Sequence, residues 1–194
     1  YANRVGLGYR LLSRVLQGDR RRIYQVPEEI VSEPPRFSGF EDVLDGEMST
    51  HPQYMGPPAY GYRHFADLFS DRQMLLLESF SRHVGVVSRR AEVDARKRGL
   101  PNEVAEQYAR TVALYLGFGV SRLVNLQNTL CQWRPDAGKE QVGHLFTRQA
   151  IPMVWDWAEA NPFAGAAGGW DKTFMFIPKV IEHLNAQLKN ELTA

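Results

Sequence analysis

Residues Ser70 to Gly99, SDRQMLLLESFSRHVGVVSRRAEVDARKRG, decide the fold. Ser70 followed three residues later by Gln73 is a capping-box pattern, in which hydroxyl and amide each satisfy a backbone N–H that the first helical turn leaves orphaned. Phe69 ahead of it and Met74 at the fourth helical position have the spacing of a hydrophobic staple. Leu76, Phe80, Val84, Val87 and Ala91 then recur in steps of three and four, which keeps one face inward. Gly99, after Arg96-Lys97-Arg98, is a helix stop. The pattern predicts a long helix.

Downstream, Pro101-Asn102 opens a second helix with the seam Val104, Tyr108, Val112, Tyr115, Gly119, Leu123, Leu126 and Leu130. About 30 residues at 1.5 Å each make it ~45 Å long, and Pro135 ends it. Gly117 and Gly119 each cost about 1 kcal/mol relative to Ala inside a helix, so their expected use is close approach of a neighbour. A shorter helix is predicted through Pro152 to Glu159, with Asn161-Pro162 as its stop. After the glycine-rich stretch from Gly165 to Gly169, a last helix carries Ile177, Ile181, Leu184 and Leu188 on one face. Pro178 lies in its first turn or kinks it.

Upstream, two β-like runs, Leu11 to Leu16 and Arg22 to Val26, flank Gly18-Asp19, a turn dipeptide that fits a hairpin. Between Pro27 and Pro58 turn residues crowd together, as in Pro34-Pro35, Asp45-Gly46 and Gly56-Pro57-Pro58, and leave no room for a long element. The expected fold is mainly α, a helical bundle with two long antiparallel helices and an N-terminal β-hairpin arm. Residues 1–59 form the arm and an irregular linker, and 60–194 the α-helical domain.

The composition narrows the function. The chain has 194 residues, 44% hydrophobic and 23% charged, with a net charge of +1, which excludes a uniformly basic nucleic-acid binder but not a local basic patch. Its bases are 18 Arg and 5 Lys, a bias toward planar, bidentate contacts with phosphate or carboxylate. Cys131 is the only cysteine, so neither a disulfide framework nor a thiolate zinc site can form within the chain, and a cytoplasmic setting is expected. Apolar runs such as Val112 to Val120 are too short to span a bilayer, and no membrane partner is expected. The chain opens on Tyr1-Ala2-Asn3-Arg4, without Met or a signal-peptide core, and reads as a piece of a longer protein.

No Walker loop, Gly-x-Ser-x-Gly elbow or His-Glu-x-x-His motif is present, and the five histidines stand apart from one another and from Cys131. The sequence therefore offers no catalytic residue, no metal site and no cofactor site of its own. Two basic features are candidates for nucleic-acid contact. Arg20, Arg21 and Arg22 crowd the hairpin turn beside Arg14, where guanidinium groups can clamp phosphates. Arg82, Arg89 and Arg96 recur every seven residues and form a stripe on the first long helix, joined by Arg90, which is either a solvated face or a DNA-facing one. Asn161-Pro162-Phe163 lacks the second proline of an adenine-methylase (Asp/Asn)-Pro-Pro-(Tyr/Phe) loop and reads as a helix stop.

Three blocks carry a resemblance. They are Tyr60 to Gln73, with its Phe65-Ala66-Asp67-Leu68-Phe69-Ser70-Asp71-Arg72-Gln73 run; Arg122-Leu123 to Leu130 and Trp133; and Arg148-Gln149-Ala150-Ile151-Pro152-Met153-Val154-Trp155-Asp156-Trp157-Ala158-Glu159-Ala160-Asn161-Pro162-Phe163. Together, over about residues 60 to 170, they resemble the middle helical segment of the prokaryotic adenine-specific DNA methylases that carry a zinc ribbon. The sequence departs from that pattern at Asn125-Leu126-Gln127, where a more acidic and aromatic run is expected. The resemblance implies a non-catalytic region lying between the methyl-donor loop and the catalytic loop of a larger enzyme. S-adenosylmethionine would be the cofactor of that full-length protein. Its target adenine would have to be flipped out of the duplex, and DNA would be met through the full-length protein. Arg148, Trp155, Asp156, Trp157 and Asn161 become candidates for an interface with the remainder of the methylase chain. The competing reading is a protein–protein interaction module without a nucleic-acid role, in which Trp155, Trp157 and Phe163 face a partner.

Overall fold

A computed structural model describes residues 10–19, 21–27, 44–136, 138 and 140–193. The protein is mainly α, with a small two-stranded hairpin at the front. Strands β1 (Arg14–Gln17) and β2 (Arg22–Gln25) pair antiparallel, Arg14 opposite Gln25 and Gln17 opposite Arg22. Helix α1 (Asp71–Lys97) follows, then α2 (Asn102–Val124), a ribbon of β3 (Trp133–Arg134) and β4 (Gln141–Val142), and helices α3 (Trp170–Phe174) and α4 (Phe176–Thr193).

Both ends of α1 are where the local chemistry puts them. The Ser70 hydroxyl accepts from the Gln73 N–H at 3.3 Å, and the Gln73 amide oxygen accepts from the Ser70 N–H at 3.0 Å. At the other end Gly99 takes φ 86°. Its N–H reaches the Arg96 carbonyl, and the Leu100 N–H reaches Ala95, a Schellman closure that favours a left-handed residue. Gly99→Ala is expected to cost about 1–2 kcal/mol, because Cβ opposes that conformation while finding open space around it. An unchanged urea midpoint in the Ala variant would refute this.

Helices α1 and α2 meet along small residues. Ala95, Ala105 and Ala109 are buried, and the Ser88 hydroxyl donates to the Ala109 carbonyl at 3.0 Å. This corrects the expected seam on α2: Val104 and Tyr108 are exposed, because alanines bring the backbones close and leave the larger side chains flanking the contact. Gly119 is buried under α3, where a Cβ would meet Phe174 at 3.0 Å and Trp170 at 3.1 Å, so its expected use holds. Gly117 has open space and no such use.

Two other expectations are overturned. Helix α2 stops at Val124 and does not reach Leu130. Asn125, Asn128 and Thr129 turn their side chains to other backbone groups. Asn128, for example, donates to the Val124 carbonyl at 2.9 Å and accepts from the Leu130 N–H at 3.0 Å. Residues 152–159 are not helical either. They run as an irregular strap that bends at Trp155 and Asp156 and is held at both ends. The Ile151 N–H donates to Tyr54 at 2.8 Å, and the Ala158 N–H to Cys131 at 2.7 Å. The Ala158 N–H, engaged with Cys131, cannot close an i to i−4 bond onto Val154.

The core sits where strap, turn and linker meet. Met48, Leu68, Leu130, Leu145 and Val154 form one buried cluster, and Leu126, Cys131, Val142 and Ala160 a second. Packing therefore begins by Met48, ahead of the boundary expected near Tyr60. Pro178 lies in the first turn of α4, whose Val180, Leu184 and Leu188 are exposed. No described helix is long and apolar enough to cross a membrane.

Candidate functional site

Hydrogen bonds tie the three sequence blocks to one another. Asp67 shapes the approach to α1: its carboxylate accepts from the Arg63 and His64 N–H groups at 2.6 and 2.9 Å. At the start of α1, Arg72 grips Glu159 through two parallel bonds of 2.9 and 2.8 Å across 87 residues of sequence. Such a fork positions the strap more than it stabilises the fold, since at this half-exposed place it contributes no more than about 1 kcal/mol. Leu68 accepts at its carbonyl from both the N–H and the hydroxyl of Thr129, at 2.8 and 3.0 Å.

The run Asn125-Leu126-Gln127, where the sequence departs from the resembled pattern, is the polar hinge of this assembly. The Gln127 amide is 1% exposed and donates to the Ala160 and Gly168 carbonyls at 2.9 and 3.2 Å. The Asn125 carboxamide oxygen accepts from the Phe146 N–H at 2.8 Å, which directs its nitrogen to His144 Nδ1 at 3.2 Å. Sequence spacing carried no signal for these roles, because each partner lies 19 or more residues away.

The candidate interface residues differ in their surroundings. Trp155 is 61% exposed and sets its ring edge-on to Tyr60, with centroids 5.0 Å apart. Trp157 is half-buried against the first core cluster, while Asp156 and Arg148 are exposed. The Asn161 side chain accepts from the Phe163 N–H at 2.9 Å, a local turn that leaves Phe163 exposed near Phe80.

The candidate nucleic-acid residues are not gathered into one site. Arg20 lies outside the described residues, Arg21 is exposed at the hairpin turn, and Arg22 opens β2. On α1, Arg82 forms an ion pair with Glu78 at 2.7 Å, and Arg89 is exposed. Cys131 is buried, and that burial pushes its thiol up to about 11, so it stays protonated and is a packing residue, not a nucleophile. Among the described residues, no three His, Cys, Asp or Glu side chains group as a metal site.

His144, which the sequence did not single out, lies beside Asn125. His144 is at the surface, yet the protein around its ring, and after it the charges of Arg122 and Arg134, hold it below the ordinary histidine value. Arg122 lies over the Phe176 ring at 4.3 Å. No family model, curated protein or solved structure matches this chain.

Proposed function

We propose that this chain is a non-catalytic helical region of an adenine-specific DNA methyltransferase, contributing DNA contact or scaffolding of its catalytic domain in the cytoplasm. In this reading α1 and α2 are the two long antiparallel helices of a bundle, and the hairpin is its arm. The observation that supports it is convergence. Blocks at 60–73, 122–133 and 148–163, which carry the resemblance, are tied to one another by the Arg72–Glu159 fork, the Thr129–Leu68 bonds and the Gln127–Ala160 bond. Exposed Trp155 and Phe163, with the apolar stripe Val180, Leu184 and Leu188 on α4, favour contact with the remainder of the enzyme.

The chemistry of methyl transfer belongs to other parts of that enzyme. The described strands form two separate antiparallel ribbons, so they build no parallel strand-to-helix turn of the kind that cradles a nucleotide-like cofactor. Calorimetric titration of the chain with S-adenosylmethionine is expected to give no heat of binding, and a dissociation constant in the low micromolar range would overturn the proposal. The reading frame around the chain is a second test. It should encode a methyl-donor glycine loop upstream and an Asp-Pro-Pro-Tyr-like loop downstream, and a frame without both refutes the assignment.

A further inference from the structure

We propose that the trough between α1 and α2 is a docking site for an acidic amphipathic helix of a protein partner, independently of the methyltransferase assignment. The chain itself shows how this trough is filled. Trp170 and Phe174 of α3 lie in it. The ring centroids of Trp170 and of Phe80 on α1 are 4.6 Å apart, and a Cβ on Gly119 of α2 would meet Phe174 at 3.0 Å and Trp170 at 3.1 Å. Side chains four residues apart share one face of a helix, so α3 enters the trough as a pair of anchors.

Farther along, the trough is open. Val87 follows Phe80 by seven residues and Val112 precedes Gly119 by seven, so each keeps the side of its helix that meets α3. Two turns, about 10 Å, separate the two places. There Val87, Ala91, Leu100, Tyr108 and Val112 line a cleft of about 490 Å³, with room for more than one large side chain. Val87, Leu100 and Tyr108 are exposed in it, at 41%, 36% and 52%. Apolar side chains gathered in a concave place gain by being covered, and a helix with anchors four residues apart already covers the same trough at Phe80.

Charge selects the partner. Arg90 and Arg98 line the same cleft and are exposed, and neither forms an ion pair among the described residues. Asp94 is the one acid of the lining, and it already pairs with Lys97 at 4.0 Å. The cleft therefore has a positive rim round an apolar floor. Carboxylates beside the anchors of a partner helix can form fork-like pairs with those guanidinium groups. Helix α4 has an apolar stripe, yet its described charged side chains are Lys179, Glu182 and Lys189, so a second copy of the chain would bring net positive charge to a positive rim. A DNA backbone matches the charge but leaves the apolar floor uncovered.

Two synthetic peptides of about 18 residues, long enough to form helix in water when built on alanine, test this. Both carry the same leucine seam, flanked by glutamates in one and by lysines in the other. Binding is followed by fluorescence anisotropy of the labelled peptide, and circular dichroism checks that each variant folds. The glutamate peptide is expected to bind, and the lysine peptide to bind at least about tenfold more weakly. Tyr108→Ala, inside the cleft, should weaken the glutamate peptide about tenfold, whereas Leu114→Ala, exposed on the same helix outside it, should leave binding unchanged. In an Arg90→Glu, Arg98→Glu double variant the preference should reverse, a gain that misfolding cannot produce.

Reversal of preference together with the Tyr108 loss supports the proposal. Failure of the glutamate peptide to bind overturns it, and so does equal affinity for both peptides, which would mark a merely apolar surface. Binding that survives Tyr108→Ala overturns the placement in the cleft. Displacement of the peptide by duplex DNA assigns the arginines to nucleic acid, and self-association lost in Tyr108→Ala assigns the cleft to a second copy of the chain. Either result overturns the proposal.

Discussion

Gln127→Glu is expected to destabilise the fold by about 3–5 kcal/mol at neutral pH, the cost of an uncompensated buried charge. The wild-type amide is 1% exposed and uses its nitrogen on two carbonyls, Ala160 and Gly168. A carboxylate in that place faces two acceptors with no donor. It will therefore resist ionisation in the folded state, with a value raised above the ordinary Glu of about 4.3. The sign of the pH dependence follows. Below that ordinary value both states are protonated, and one O–H can still serve one carbonyl. As pH rises, the unfolded chain ionises first, so the stability deficit grows until the folded-state group also loses its proton. Gln127→Leu separates charge from hydrogen bonding. It should lose about 1–3 kcal/mol for each carbonyl left unpaired, without that pH dependence. Urea unfolding at acid and neutral pH measures both. Equal deficits for the Glu variant at the two pH values would refute the account.

Leu130→Ala should cost about 2–5 kcal/mol, through the transfer energy of the deleted methyl groups and the cavity left behind. Leu130 is 3% exposed in the cluster formed with Met48, Leu68, Leu145 and Val154. Those residues come from the linker, the approach to α1, the segment after β4 and the strap, so no single element can collapse to fill the gap. Leu130→Met, which nearly conserves volume, should lose less than about 1.5 kcal/mol. The same unfolding experiment reads the pair, and a similar loss for both would mean that packing around Leu130 is not what holds the strap. Because Val154 adjoins Trp155, the Ala variant should also raise the proteolytic susceptibility of residues 151–160.

The two largest effects fall on residues whose place the sequence does not reveal. By periodicity Leu130 is the last position of a helical seam and Gln127 a position off that seam, yet both lie beyond the end of α2. The periodicity that suggests a longer helix is real, since Leu123, Leu126 and Leu130 are all buried. It is satisfied by a turn instead, because Asn128 caps Val124 and Thr129 bonds to Leu68. The strap departs from expectation for a related reason. Pro152 to Glu159 has helix-compatible residues, but the Ala158 N–H is claimed by Cys131.

What the sequence by itself determined is what neighbouring residues decide. The bounds of α1 follow from the Ser70–Gln73 box and from Gly99, the β-hairpin follows from the turn at Gly18-Asp19, and close packing at Gly119 follows from the missing side chain. Each is a contest settled within a few residues, where capping geometry and Cβ sterics dominate. Only the tertiary structure decided where α2 ends, that residues 152–159 are not helical, and that Asn125 joins Phe146 and His144. Those outcomes depend on hydrogen bonds and charges contributed by segments 19 to 87 residues apart. Local propensity is worth tenths of a kcal/mol per residue, whereas one orphaned buried amide or carbonyl costs about 1–3 kcal/mol, so the distant partners win.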